Sequence, residues 1–180
     1  MLNLLFIGAG GIGGYYAARL LRAGHQVTLT ARGEHLAALQ RNGLCVHYQG
    51  DIWRHKVTAL SHSDLIARHQ AGDFTAIVLT LKSSATAAVM QELADWLHAA
   101  EVPVISLQNG VDNEPEIAAV IGAERTLGGL AVRIGGHILA PGVIAAEGVA
   151  QIVWGQWPNA RQTSNRWHQL LQQLTDACNS

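Results

Sequence analysis

The stretch Phe6-Ile7-Gly8-Ala9-Gly10-Gly11-Ile12-Gly13 decides the fold. It reads G-x-G-x-x-G, follows the apolar run of residues 4–7, and opens into a helical pattern over residues 12–23. Strand, glycine turn and helix in that order are the context a dinucleotide-binding turn requires. Gly8 permits the tight turn, Gly10 lets the backbone approach a pyrophosphate, and Gly13 lets the helix pack close to the strand. The helix N-terminus adds unpaired N–H groups and a partial positive charge. Gly8, Ala9, Gly10, Gly11, Ile12 and Gly13 are therefore the candidate cofactor contacts.

The next strand indicates which dinucleotide. Gly24 reads as the helix C-cap, and residues 26–31 form a strand that runs into Arg32. A site for NAD usually places Asp or Glu there, to hold the ribose 2′-OH. Arg32 stands there instead, and a guanidinium pairs well with a 2′-phosphate. The plainer account is a solvated arginine at a strand end; the pattern favours NADP.

Outward from this unit the periodicity alternates. Residues 34–41 read as a short helix. Residues 44–48 and 52–57 read as a hairpin turned by Gly50-Asp51, in the II′ manner. Residues 63–69 read as a helix, and 76–81 as a buried parallel strand. Residues 84–99 (helix), 102–107 (strand) and 114–120 (helix) follow. Residues 126–154 read as short, glycine-rich β segments. Residues 161–177 close the chain as a helix with Trp167, Leu170, Leu171 and Leu174 on one face. The pattern predicts an α/β fold: a Rossmann-type doubly wound parallel sheet with additional strands at its C-terminal edge. There is no internal repeat, and Pro158-Asn159 is the one late break. The expectation is a single domain over residues 1–180.

Composition narrows the function. The 180 residues are 49% hydrophobic and 14% charged, as in a globular domain. A net charge of −1 argues against nucleic acid or an anionic membrane as a partner. The two cysteines, Cys45 and Cys178, form no C-x-x-C and suggest unpaired thiols in a reducing compartment. No basic segment precedes the first apolar run, which is only strand-length, so the expectation is a cytoplasmic protein with no membrane span. Nine histidines are scattered through the chain, His62 and His69 among them, without ligand spacing, so no metal site is expected. No G-x-S-x-G or Cys/His nucleophile pattern occurs.

Two residues sit where ligands of such sheets bind, at carboxyl ends of strands. Lys82, one of two lysines beside Lys56, follows residues 76–81 and could meet an anion. Asn109 follows residues 102–107, where its carboxamide could donate to and accept from a nicotinamide or a substrate carbonyl. The plainer accounts are an exposed loop lysine and a left-handed turn residue before Gly110.

Taken in order, residues 8–13, Arg32, Leu81-Lys82-Ser83 and Leu107-Gln108-Asn109-Gly110-Val111 resemble the ketopantoate reductases (2-dehydropantoate 2-reductases). The segment ending in Val153-Trp154-Gly155 resembles the end of that family's nucleotide domain. The resemblance covers essentially the whole chain. It implies NADPH-dependent reduction of a 2-oxo acid to a 2-hydroxy acid on the way to pantothenate. Gly8 to Gly13 would hold the pyrophosphate and Arg32 the 2′-phosphate. Lys82 and Asn109 would border nicotinamide and substrate. Two departures stand out. Ser84 and Ala85 occupy positions where the family often has an aromatic residue and Gln. The family's helical second domain, which supplies the proton-donating lysine and much of its homodimer contact, is absent from residues 1–180. The expectation is the nucleotide-binding domain of such an enzyme, a fragment or a shortened homologue, with its catalytic acid beyond Ser180. The alternatives are an NADP-sensing module without chemistry and a reductase of another 2-oxo acid.

Overall fold

The computed structural model of the protein describes residues 1–158 and 165–179. The first elements are β1 (Asn3–Ile7), α1 (Gly11–Arg22), β2 (Gln26–Thr30), α2 (Gly33–Asn42), β3 (Leu44–Tyr48), β4 (Asp51–His55), β5 (Thr58–Leu60) and α3 (His62–Arg68). They are followed by β6 (Ala76–Leu79), α4 (Thr86–Glu92), α5 (Ala94–His98), β7 (Val104–Ser106), α6 (Asn113–Ile121), β8 (Thr126–Ala140), β9 (Val143–Gln156) and α7 (His168–Asn179).

All nine strands join one sheet in the order β4-β3-β9-β8-β7-β6-β1-β2-β5. From β5 to β8 the pairs are parallel, and their order is that of the two mononucleotide halves of a Rossmann sheet. The expected α/β class and extra edge strands are both present. The extra strands come from two places: β9 pairs antiparallel with β8, while β3 and β4, which precede the third Rossmann strand β5 in the chain, attach beyond β9 at the opposite edge.

The alternation of β1 explains the layers. Leu4 and Phe6 pack into a core with α1, α2, α7 and the far strands, while Leu5 and Ile7 face a second core with α3, α4, α5 and α6. Successive side chains of a strand point to opposite faces, so a strand covered on both sides is apolar throughout. β6 divides the same way, Ala76 and Val78 against Ile77 and Leu79. α1 ends in a Schellman arrangement, in which Gly24 N–H donates to Leu21 C=O and His25 N–H to Leu20 C=O. Trp167, Leu170, Leu171 and Leu174 of the closing segment do pack on the first core. Residues 161–164 and Asn159, part of the predicted helix and break, lie outside the described residues.

Several local expectations need correction. The β3–β4 register pairs Tyr48 with Asp51, so the turn is Gln49-Gly50, both with positive φ (51° and 88°), a I′ pattern and not a II′ turn at Gly50-Asp51. The helix expected over residues 84–99 is divided into α4 and α5, because Leu93 leaves helical geometry (φ −99°, ψ 4°) while remaining fully buried in the second core. The short β segments expected over residues 126–154 are instead two long strands. Their pattern is broken by a register shift between Val132 and Ile134 and by Arg133 and Ala150 at φ 57° and 53°. Cys45 and Cys178 are both free, and burial pushes the Cys178 thiol up to about 12.

The long hairpin positions the site. β8 leaves β7 and passes over the start of α1, and its far end, with β9, meets β3. A Cβ placed on Gly11 would overlap the backbone of Gly136 in β8. The glycine-rich turn is thus clamped between β1 below and the hairpin above.

Candidate functional site

The turn after β1 is fixed from three directions. Gly8 has φ +108°, a conformation open to glycine, and its N–H donates to Thr30 Oγ1 at 3.2 Å. Thr80 Oγ1, just past β6, donates to Gly8 C=O at 2.5 Å. A Cβ on Gly13 would overlap the Gly8 carbonyl and the Thr80 hydroxyl, so α1 approaches β1 and β6 only because that position is glycine. From above, His35 of α2 acts as a clip. Its Nδ1 accepts from Gly142 N–H at 3.1 Å, which leaves Nε2–H to donate to Ala9 C=O at 2.8 Å.

A cleft opens beside this turn, at the carboxyl ends of β1, β6 and β7. One lobe, of about 790 Å³, is bounded by Gly8, Gly10, Gly11 and Ile12 on one side and by Lys82, Gln108 and Asn109 on the other. A second, of about 450 Å³, runs past Ala9 toward Thr30, Arg32, His35 and His62. The lobes share Gly8, Gly10, Leu81, Lys82, Ser84 and Ile138, and so adjoin.

The candidates distribute unevenly over it. Gly8, Ala9, Gly10, Gly11 and Ile12 line the cleft; Gly13 lines neither lobe and serves packing. A Cβ on Gly10 would meet nothing within 4 Å, so that edge of the turn is open space. Arg32, exposed, borders the second lobe, and Lys82, also exposed, borders both. Asn109 borders the first lobe alone. Lys56 lines a different hollow with Asn3 and His25, at the amino ends of β1 and β2. Among the described residues no group of three or more His, Cys, Asp or Glu converges as metal ligands would, and no helix is long and apolar enough to cross a membrane.

A buried network holds the two polar turns together. Gln108 Nε2 donates to Leu81 C=O at 3.0 Å and to Thr86 Oγ1 at 2.8 Å. Thr86 Oγ1 donates to Asn113 Oδ1, and Asn113 Nδ2 donates to Asn109 C=O. The chain from Leu81 to Asn109 fixes the spacing of the Lys82 and Asn109 walls. A buried network of this kind favours one arrangement, and Gln108 Oε1 is the one atom of it left without a partner among the described residues. Gln108, Thr80, Thr30, His35 and Ile138 were not singled out from the sequence. The first four act through partners distant in the chain, Ile138 lines the cleft from the far hairpin, and only the motif position of Gln108 beside Asn109 offered a hint.

A family model described as ketopantoate reductase PanE/ApbA matches residues 4–159. The chain belongs to the ketopantoate reductase family. Among curated relatives, the 2-dehydropantoate 2-reductase of Pyrococcus horikoshii is 28% identical over 160 residues, 89% of this chain and 49% of the relative. The crystal structure of 2-dehydropantoate 2-reductase from Methylococcus capsulatus matches with a TM-score of 0.79 and 26% identity, over 98% of this chain and 55% of that one. D-Mandelate dehydrogenase in its ternary structure with NADH and anilino(oxo)acetate shares the fold, with a TM-score of 0.80 and 20% identity over 98% of this chain and 54% of that one. The chain spans about half the length of each of these proteins.

Proposed function

We propose that this chain forms the NADPH-binding half of a cytoplasmic reductase that converts 2-dehydropantoate to pantoate. The observation that supports it best is the cleft: the glycine turn, Arg32, Lys82 and Asn109 border one space at the carboxyl ends of neighbouring parallel strands. The residues fit a dinucleotide. The open edge at Gly10 leaves room for a pyrophosphate against backbone N–H groups at the α1 N-terminus. Arg32 pairs with the 2′-phosphate as a charge-assisted donor. The cofactor's contribution, when bound, is hydride donation to the carbonyl carbon.

The chain's own residues then hold the substrate. The Lys82 ammonium attracts the anionic 2-oxo acid, and the Asn109 carboxamide donates to or accepts from the reacting end. The carbonyl oxygen must gain a proton as its carbon gains hydride. Lys56 is at the wrong end of the sheet for that role. The resemblance assigns the acid to the family's second domain, which also carries the homodimer contact in this reading. The second reading, another 2-oxo acid as substrate, draws on the fold shared with D-mandelate dehydrogenase. Titration of NADPH and NADH into the purified chain, followed by binding of 2-dehydropantoate and benzoylformate to the NADPH-loaded protein, tests both. Tighter NADPH binding and selective retention of 2-dehydropantoate support the proposal; equal affinity for both cofactors overturns the NADPH assignment, and selective benzoylformate binding overturns the substrate.

A further inference from the structure

The second lobe has an unusual charge balance. Arg32, His35, His62 and Lys82 border it, and no Asp or Glu does. Histidine alone among these side-chain types changes charge between pH 5 and 8. His35 has both ring nitrogens engaged by backbone groups, Gly142 N–H and Ala9 C=O. His62 is different. It opens α3, where the hydroxyl of Ser61 caps the helix by accepting from Asp64 N–H at 3.0 Å. Its side chain is 10% exposed. Nδ1 lies 3.0 Å from Glu92 Oε2 of α4, and a carboxylate only accepts, so Nδ1 carries a proton. Nε2 lies 3.4 Å from Thr30 Oγ1, the hydroxyl that receives Gly8 N–H.

This series runs Glu92, His62, Thr30, Gly8, from an exposed carboxylate to the first glycine of the turn. In the neutral ring Nε2 is an acceptor for the Thr30 hydroxyl. In the protonated ring it is a donor, and the positive charge at the lobe is balanced from behind by Glu92. The charged groups around His62 are Glu92 from α4, Asp64 on its own helix, and Arg32, His35 and Lys82 across the lobe.

Resting on the NADPH reading above, we propose that His62 is a specificity-determining residue: protonated, it is the second cation, beside Arg32, for a phosphate monoester on the adenosine ribose. Preference for NADPH over NADH then rises as pH falls, because only NADPH carries that phosphate.

The test is to measure dissociation constants of both cofactors at pH 6 and pH 8 for the wild type and His62→Gln. The wild-type preference should grow by about fivefold at pH 6, less than a charge-assisted hydrogen bond gives, because both ring N–H groups are committed to Glu92 and Thr30 and the imidazolium acts on the phosphate through its charge alone. In His62→Gln that growth should vanish, read as the ratio of NADPH to NADH affinity at each pH, so that any change common to both cofactors through the turn or through stability cancels. Protonation of the 2′-phosphate itself is common to both proteins and cancels. A second measurement needs no variant: in NMR titrations, 2′,5′-ADP but not 5′-AMP should move the titration of the His62 ring to higher pH. A His62→Gln profile that tracks the wild type, or a His62 titration indifferent to 2′,5′-ADP, overturns the proposal. A ratio of wild-type to His62→Gln preference that is the same at both pH values overturns it while the NADPH reading stands; a wild type with no preference at either pH sinks both.

Discussion

Gly10 and Gly11 are neighbours under opposite constraints. The space beside Gly10 is open, whereas Gly11 is pressed against Gly136. Gly10→Val should therefore leave thermal unfolding cooperative but abolish the NADPH-induced rise in midpoint, because its side chain occupies the pyrophosphate's space. Gly11→Ala should lower the midpoint even without cofactor. Overpacking typically costs about 1–3 kcal/mol, and backbone on both sides leaves little room to relax. A Gly10→Val protein that still responds to NADPH would show that the turn is not the site. Arg32→Ala should weaken NADPH by about 1.5–3 kcal/mol, with NADH unaffected; isothermal titration with both cofactors checks it, and an equal loss for both would assign Arg32 a structural role. At this scale the sequence spoke clearly where a residue's task is local. Gly8 and Gly13 could be read because turn and helix are adjacent in the chain. His35 could not be, since its meaning depends on Gly142.

At the scale of elements, the joint between α1 and β2 is also a pH-sensitive one. His25 follows the Schellman end of α1, and its Nδ1 accepts from Leu2 N–H at 3.1 Å, which ties the joint to the start of β1. Burial, aided by the N-terminal ammonium, holds its imidazole below the usual histidine range. Burial, aided by Arg22, does the same for His55 in β4. A histidine held low in the folded state stabilises it above the unfolded value of about 6.5, and that contribution is lost as pH falls. Chemical denaturation at pH 7.5 and pH 5.5 should show lower stability at pH 5.5, with a smaller drop in the double variant His25→Gln/His55→Gln; an unchanged drop would place the acid sensitivity elsewhere. Elements with strong local patterns, from β1 to α2 and in β6, were legible in the sequence to within a residue or two. β5 was not: three residues with one polar neighbour give no period. Nor was the length of β8 and β9, since Arg133, Gly148 and Ala150 interrupt the alternation that betrays a strand. The break at Leu93 follows from tertiary packing, which no local propensity records.

Seen whole, the sheet does more than carry helices on two faces. Its β8-to-β4 end curls around α1, so the first helix packs on β1, on the hairpin and on β3. One wall of the cleft is consequently built from residues far along the chain. With Lys56 remote from it, residues 1–180 should bind NADPH yet reduce 2-dehydropantoate at a rate about 10²–10⁴-fold below that of an enzyme with a positioned acid. Turnover assays on this polypeptide check the point, and brisk turnover abolished by Lys82→Ala would make Lys82 the acid. The contact of Gly11 with Gly136 also has a kinetic meaning. The glycine motif emerges from the ribosome well before β8, and its upper clamp arrives only after β8 has been synthesised. Contacts of such high sequence separation are slow to form, because loop closure must precede any gain from them. A nascent chain thus displays the nucleotide signature long before it possesses a nucleotide site, and the cofactor can favour native assembly only at a late stage of the folding pathway.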